Sequence, residues 1–149
     1  MTGRELLLLD TNVVVQVCRG KETGERIDKA YGLRSRSERP LISVITVGEC
    51  LAFAKHRRWG DAKMATLREM LAEFVVVDIN SRDVLERYAE IHAMGIDSGW
   101  NLSDNDTWIA ATASATSAVL LTTDKDFERV DGRLLKHVFI SPQSPAATS

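Results

Sequence analysis

Four carboxylates stand out by their positions. Asp10 ends the apolar run Leu6, Leu7, Leu8 and Leu9, and Asp124 follows Val119, Leu120 and Leu121 after Thr122 and Thr123. Glu49 lies among Val47, Cys50 and Leu51, and Asp106 opens an Ala-rich stretch containing Trp108 and Ile109. Any one of them alone reads equally well as a helix cap or turn former, because short acids serve both roles. Brought together without a cation, they would repel and raise one another's pKa values, so a shared site makes physical sense when it holds a divalent metal. All-oxygen ligands favour Mg²⁺ or Mn²⁺. Such a site orients water, raises its acidity and stabilises a phosphodiester during in-line attack. With water as the nucleophile, the expected products carry a 5′-phosphate and a 3′-hydroxyl.

The elements that must position these acids follow from hydropathy. Leu6–Leu9 has the unbroken apolar pattern of a short strand buried on both faces of a parallel sheet. Thr11 and Asn12 suit a helix cap, with Val13 to Cys18 starting a helix that stops near Gly20. Glu22 to Leu33 reads as a poorly apolar helix, and Arg34, Arg36 and Arg39 lead to Pro40 as a basic loop. Leu41 and Ile42, extending to Ser43, make a second strand. Ser43 then caps a helix in which Val44, Val47, Leu51 and Ala54 recur at helical spacing. That helix carries Glu49 and ends in Lys55, His56, Arg57 and Arg58, where the macrodipole favours cations.

From Asp61, the residues Met64, Leu67, Leu71 and Phe74 form an amphipathic helix leading into a third strand, Val75 to Val77. Ser81 caps a helix with the face Val84, Leu85, Tyr88 and Ile91, ending around Gly95. A polar loop over Asp97 to Ser103 precedes a helix beginning near Asp106 and reaching Ser117, with a fourth strand at Val119 to Leu121 and a fifth at Val138 to Ile140. Strands alternating with helices predict an α/β fold: a three-layer α/β/α domain over residues 1–140, with a central parallel sheet of four or five strands. Sites in such sheets lie at the carboxyl ends of the strands. The acids fall there if the first and fourth strands are neighbours. The tail 141–149, with Pro142 and Pro145, is expected to be disordered.

Composition sets the outer bounds. A chain of 149 residues, 44% hydrophobic and 27% charged, with nine Gly and three Pro, suits one ordinary globular domain. Its 19 basic and 21 acidic side chains give a net charge of −2, which excludes a globally basic nucleic-acid-binding surface but not a local patch. No apolar run is long enough to span a membrane, and the early Asp10 argues against a signal peptide, so a cytoplasmic protein without a membrane role is expected. Cys18 and Cys50 have no metal-ligand spacing and are expected to be reduced thiols. His56, His92 and His137 likewise lack ligand spacing.

The segments LLLLDTNVVV at 6–15, ISVITVGEC at 42–50, NDTWIAATA at 105–113 and LLTTDKDF at 120–127 resemble the PIN-domain ribonucleases, and among them the VapC-type toxins. The resemblance spans roughly residues 5 to 140. It implies that Asp10, Glu49, Asp106 and Asp124 form a catalytic Mg²⁺ or Mn²⁺ site, with Thr11, Asn12 and Thr122 supporting it. Asp126 belongs to the DKDF segment, with its contact to metal left open. Asp104 matches no acid of the family and reads as helix-entry charge. The resemblance further implies an endoribonuclease acting on structured RNA, often tRNA or rRNA, that forms homodimers and is neutralised by a cognate antitoxin. Arg34, Arg36, Arg39, Lys55, Arg57 and Arg58 are candidate phosphate contacts, which position a nucleic acid without reading its sequence.

Other hydrolase classes fit less well. A haloacid-dehalogenase-like phosphatase would need a second acid two residues after Asp10, where Asn12 stands. No GxxxxGK[ST] and no GxSxG is present, which removes P-loop and serine-hydrolase readings. The remaining alternatives are a catalytically inactive PIN-fold module for RNA binding or assembly, and a nuclease directed at DNA.

Overall fold

The computed structural model describes residues 5–142. A five-stranded parallel sheet runs through the middle, in the order β3-β2-β1-β4-β5. Its strands are β1 (Leu7–Leu9), β2 (Leu41–Ser43), β3 (Val75–Val77), β4 (Val119–Thr122) and β5 (Lys136–Phe139). β1 lies between β2 and β4, with Leu8 opposite both Leu41 and Leu120. The order reverses beside β1, and the crevice at the carboxyl end of such a reversal is where open α/β sheets bind ligands. Asp10 and Asp124 both lie at that end.

The three central strands β1, β2 and β4 are buried on both faces because alternate residues serve different cores, whereas Val75 and Val76 of the edge strand β3 are exposed. Leu7, Leu9, Ile42 and Leu121 pack against α1 (Thr11–Arg19), α2 (Glu22–Tyr31), α3 (Val44–His56) and α4 (Asp61–Glu73). Leu8, Leu41 and Leu120 face α5 (Arg82–Ser98) and α6 (Asp104–Thr116) on the other side. Ala110, Ala111 and Ala113 bring α6 close to the strands. This is the expected three-layer α/β/α arrangement with all five strands present.

Several boundaries differ from the sequence reading, each for a local reason. Asp10 itself caps α1, its Oδ1 accepting from the Thr11 N–H at 2.8 Å, so Thr11 and Asn12 are helical rather than capping. Helix α5 passes through Gly95 and ends at Gly99, whose φ of 78° suits a residue without a side chain. Gly95 stays helical because it makes room for Trp100: a Cβ there would come within 2.9 Å of the indole ring. Helix α6 starts at Asp104, since the Ser103 hydroxyl accepts from the Asp106 N–H.

Cys18 and Cys50 are free thiols, and burial pushes the Cys50 thiol up to about 12. No helix among the described residues is long and apolar enough to cross a membrane. At the carboxyl-terminal limit, the Ser141 and Pro142 carbonyls accept from Arg26 and Thr23 of α2. The rest of the tail expected to be disordered lies outside the described residues.

Candidate active site

Asp10 enters the site because β1 is short and α1 begins immediately after it. Its carboxylate is only 3% exposed. While Oδ1 caps α1, Oδ2 accepts from Thr122 Oγ1 at 2.7 Å, and that hydroxyl in turn accepts from the Asp124 N–H at 3.0 Å. One threonine at the end of β4 therefore ties the acid of β1 to the acid that follows β4. The Asp124 Oδ1 accepts from the Asp126 N–H at 2.8 Å and caps a short 3₁₀ turn, Lys125–Arg129.

Glu49 arrives from the second turn of α3. Its Oε1 accepts from Thr11 Oγ1 at 2.7 Å, and its Oε2 accepts from Asn105 Nδ2 at 3.1 Å. Thr11 Oγ1 also lies 3.1 Å from Thr46 Oγ1, a buried hydroxyl one helical turn before Glu49. Asp106 sits in the first turn of α6, where the helix macrodipole favours negative charge. Three helix starts and two strand ends thus bring these acids close enough to feel one another's charge. Thr11→Val, which keeps the branched shape but removes the donor to Glu49, should weaken divalent-metal binding by about 10- to 100-fold. Isothermal titration with Mn²⁺ measures this, and unchanged affinity would show that Glu49 needs no such anchor.

The charges feel one another. Burial pushes the Asp10 carboxyl up to about 6, the Thr122 hydroxyl and Thr11 N–H pull it down, and the charges of Glu49 and Asp124 raise it again. Asp106 is also raised to about 6, first by burial and then by the charges of Asp10 and Asp124, with the Ser103 side chain opposing and Glu49 adding a smaller push. Among the described residues, no cationic side chain offsets the charge on either group.

The donor set is therefore oxygen-only and its negative charge is uncompensated, which fits a hard divalent cation such as Mg²⁺ or Mn²⁺. Among the described residues, no three His, Cys, Asp or Glu side chains form a ready-made metal-binding group. The carboxylates of Asp10 and Glu49 accept from hydroxyl, amide and backbone donors, which fix their orientation.

Other predicted positions are placed as follows. Asn12 is exposed in the first turn of α1. Asp126 contributes its backbone to Asp124 and directs its carboxylate toward Arg129 at 3.7 Å. Asp104 accepts from the Tyr88 hydroxyl at 3.4 Å. Arg34 pairs with Asp28 and Glu73, and Arg36 donates to the carbonyls of Tyr31 and Glu5, so both are engaged within the chain. Arg39, Lys55, Arg57 and Arg58 are exposed.

Sequence reasoning missed Asn105 and Thr46 as site residues. Both lie inside the segments that held the acids, and Thr46 stands three residues before Glu49, a spacing that puts it on the same helix face.

The pattern described as PIN domain matches residues 7–133. The chain belongs to the PIN domain family. Among its relatives, this PIN domain is 27% identical over 128 residues to Ribonuclease VapC5 of Mycobacterium tuberculosis (strain ATCC 25618 / H37Rv), covering 84% of this chain and 87% of that one. Its fold is similar to VapBC-1 from nontypeable Haemophilus influenzae, with a TM-score of 0.75, 21% identity, and coverage of 90% of this chain and 97% of the other. A second similar structure is VapBC-5 from Mycobacterium tuberculosis, a member of the VapBC family of toxin-antitoxin systems. There the TM-score is 0.67 and the identity 22%, covering 91% of this PIN domain and 99% of that chain.

Proposed function

We propose that this PIN domain is a divalent-metal-dependent endoribonuclease, the toxin of a toxin–antitoxin pair. It hydrolyses phosphodiester bonds in a structured RNA of the tRNA or rRNA class and is neutralised by a cognate antitoxin. The cytoplasm is its place of action and a homodimer its working form. The observation that carries this reading is the meeting of Asp10, Glu49, Asp106 and Asp124 at the sheet's point of reversal, with Asp10 and Asp106 both raised by burial and by neighbouring acids. The similarity to a protein named as a ribonuclease supports the choice of reaction.

A divalent ion held by these acids supplies acidification of the attacking water and stabilisation of charge on the phosphodiester. The chain supplies orientation. Thr122 and the Thr11 N–H fix both oxygens of Asp10, while Thr11 and Asn105 fix both oxygens of Glu49. Asp106 presents its carboxylate from the first turn of α6, where burial and the charges of Asp10 and Asp124 raise it and so ready it for a cation. Attack by water leaves a 5′-phosphate on one product and a 3′-hydroxyl on the other.

Asp106→Asn tests the assignment. The side chain is half-buried and the Ser103 cap contacts its backbone, so the variant should fold normally. Cleavage in Mn²⁺ should fall by more than about 100-fold, beyond what loss of a supporting residue costs. Undiminished cleavage would remove Asp106 from the site. Comparing RNA and DNA versions of one substrate separates the ribonuclease reading from a DNA-directed one.

A further inference from the structure

A recess lies at the far ends of α1, which Asp10 caps, and α3, which carries Glu49. A cavity of about 260 Å³ opens between the end of α1, the end of α3 and the start of α4. Arg19, Lys21, Phe53, Arg57, Trp59 and Lys63 line it, and no carboxylate does. The Arg57 guanidinium stands 5.0 Å from the centre of the Phe53 ring, and the Lys63 ammonium 5.5 Å from that of Trp59. The two rings meet edge to face at 5.8 Å. None of the four cations takes part in an ion pair among the described residues, unlike Arg34, Arg87, Arg129 and Arg133. Unpaired cations beside aromatic faces, in a recess without acids, suit a ligand with both an anionic group and a flat ring.

The position of the recess narrows the choice. Glu49, Phe53 and Arg57 follow one another at four-residue intervals, so they lie along one ridge of α3. At a rise of about 1.5 Å per residue, Glu49 and Arg57 are about 12 Å apart. One strand stacked at roughly 3.4 Å per nucleotide covers that distance in about three or four nucleotides. The cavity is smaller than the roughly 300–1,000 Å³ of a site for a whole small molecule, and suits one base with its phosphate.

We propose that this recess is a substrate subsite that holds one unpaired nucleotide of the RNA. The base packs against Phe53 and Trp59, and the flanking phosphates lie among Arg19, Lys21, Arg57 and Lys63, a few nucleotides from the bond being cut. This inference rests on the reading of the acid cluster as a ribonuclease site. It adds to that reading a means of selecting unpaired RNA, because a base held in a duplex cannot enter the recess.

The test measures binding of a fluorescein-labelled single-stranded RNA of about 12 nucleotides to the full chain in EDTA, which withholds the divalent ion and so prevents cleavage. Trp59→Ala and Lys63→Glu should each weaken binding by about tenfold or more. Lys63→Glu should also reduce the slope of log affinity against log salt by about one. Lys136→Glu, on the far edge strand, should leave affinity close to that of the wild type. Lys63 is exposed, so its variant carries the test even if Trp59→Ala fails to fold.

Unchanged affinity in the cleft variants, or no binding by the wild type, overturns the proposal. Displacement of the RNA by a Glu-rich peptide, lost in Lys63→Glu, would reassign the recess to an acidic protein segment and overturn it equally. Cleavage in Mn²⁺ separates the two readings. An inactive wild type with cleft-dependent binding removes the nuclease reading alone, and an active wild type with unchanged kcat and KM in both cleft variants removes the subsite alone.

Discussion

Asp10→Asn should yield a protein that is more stable than the wild type in chelator at neutral pH and yet has lost RNA cleavage by more than about 100-fold. The two effects have one cause. Asp10 is 3% exposed, and burial is the largest influence holding its carboxyl at about 6 rather than 3.8. The folded state therefore binds this proton more tightly than the unfolded state does. As pH rises from about 4 to about 6, the unfolded chain has already lost the proton and the folded protein gives it up at a cost, so this group lowers stability across that window. Above about pH 6 the loss is constant, on the order of 2–3 kcal/mol.

Asparagine removes the charge but retains an oxygen for the Thr11 N–H and is as good a helix cap as aspartate. The gain should be largest above pH 6 and vanish toward pH 4. Denaturant titrations in EDTA at both ends of that range measure it, and a variant less stable than the wild type at neutral pH would show that hydrogen bonding at Asp10 outweighs its buried charge. Added Mn²⁺ should raise the wild-type melting temperature and leave the variant's nearly unmoved, because only the wild type retains the full ligand set. In cells without an antitoxin, new RNA ends bearing 5′-monophosphates should appear with the wild type alone.

The positions of Asp10 and Asp124 were legible because both follow a strong local signal. Leu6–Leu9 and Val119–Leu121 are apolar runs too short for helices, and an acid soon after such a run in an α/β chain must fall at the carboxyl edge. The hydrogen bonds that orient those acids were not legible. Thr11 and Glu49 are 38 positions apart, Glu49 and Asn105 are 56, and Asp10 and Thr122 are 112. No periodicity reports a pairing that depends on which strands become neighbours.

The basic loop shows the opposite failure. Arg34 and Arg36 look like free cations in the sequence, but folding brings Asp28, Glu73 and two carbonyls to them. Arg57 belonged to the same list and instead lies over Phe53, a contact that its four-residue spacing permitted but did not announce. Gly95 misled as a helix stop because its small size answers Trp100, whereas Gly99 ends the helix through its backbone.

Gly24→Ala should be among the most destabilising single-methyl additions in the chain. Gly24 is buried in α2, and a Cβ there would overlap the Gln16 carbonyl oxygen and come within 3.0 Å of the Val17 Cα. Both obstacles are backbone of α1, so no side-chain rotation relieves them and the two helices must move apart. That separation loosens the packing of Ile27 and Leu33 against Val13 and Val17 in the shared core. Overpacking of this kind costs about 1–3 kcal/mol, and a backbone obstacle puts this case at the upper end. A loss of about 3 kcal/mol corresponds to a fall of roughly 10 °C in melting temperature for a chain of this size. Gly48→Ala is the matched control. It is exposed within α3 and its added Cβ meets nothing within 4 Å, so it should gain about 0.5–1 kcal/mol from helix propensity alone. Opposite signs for the same methyl would establish that α1 and α2 are in backbone contact.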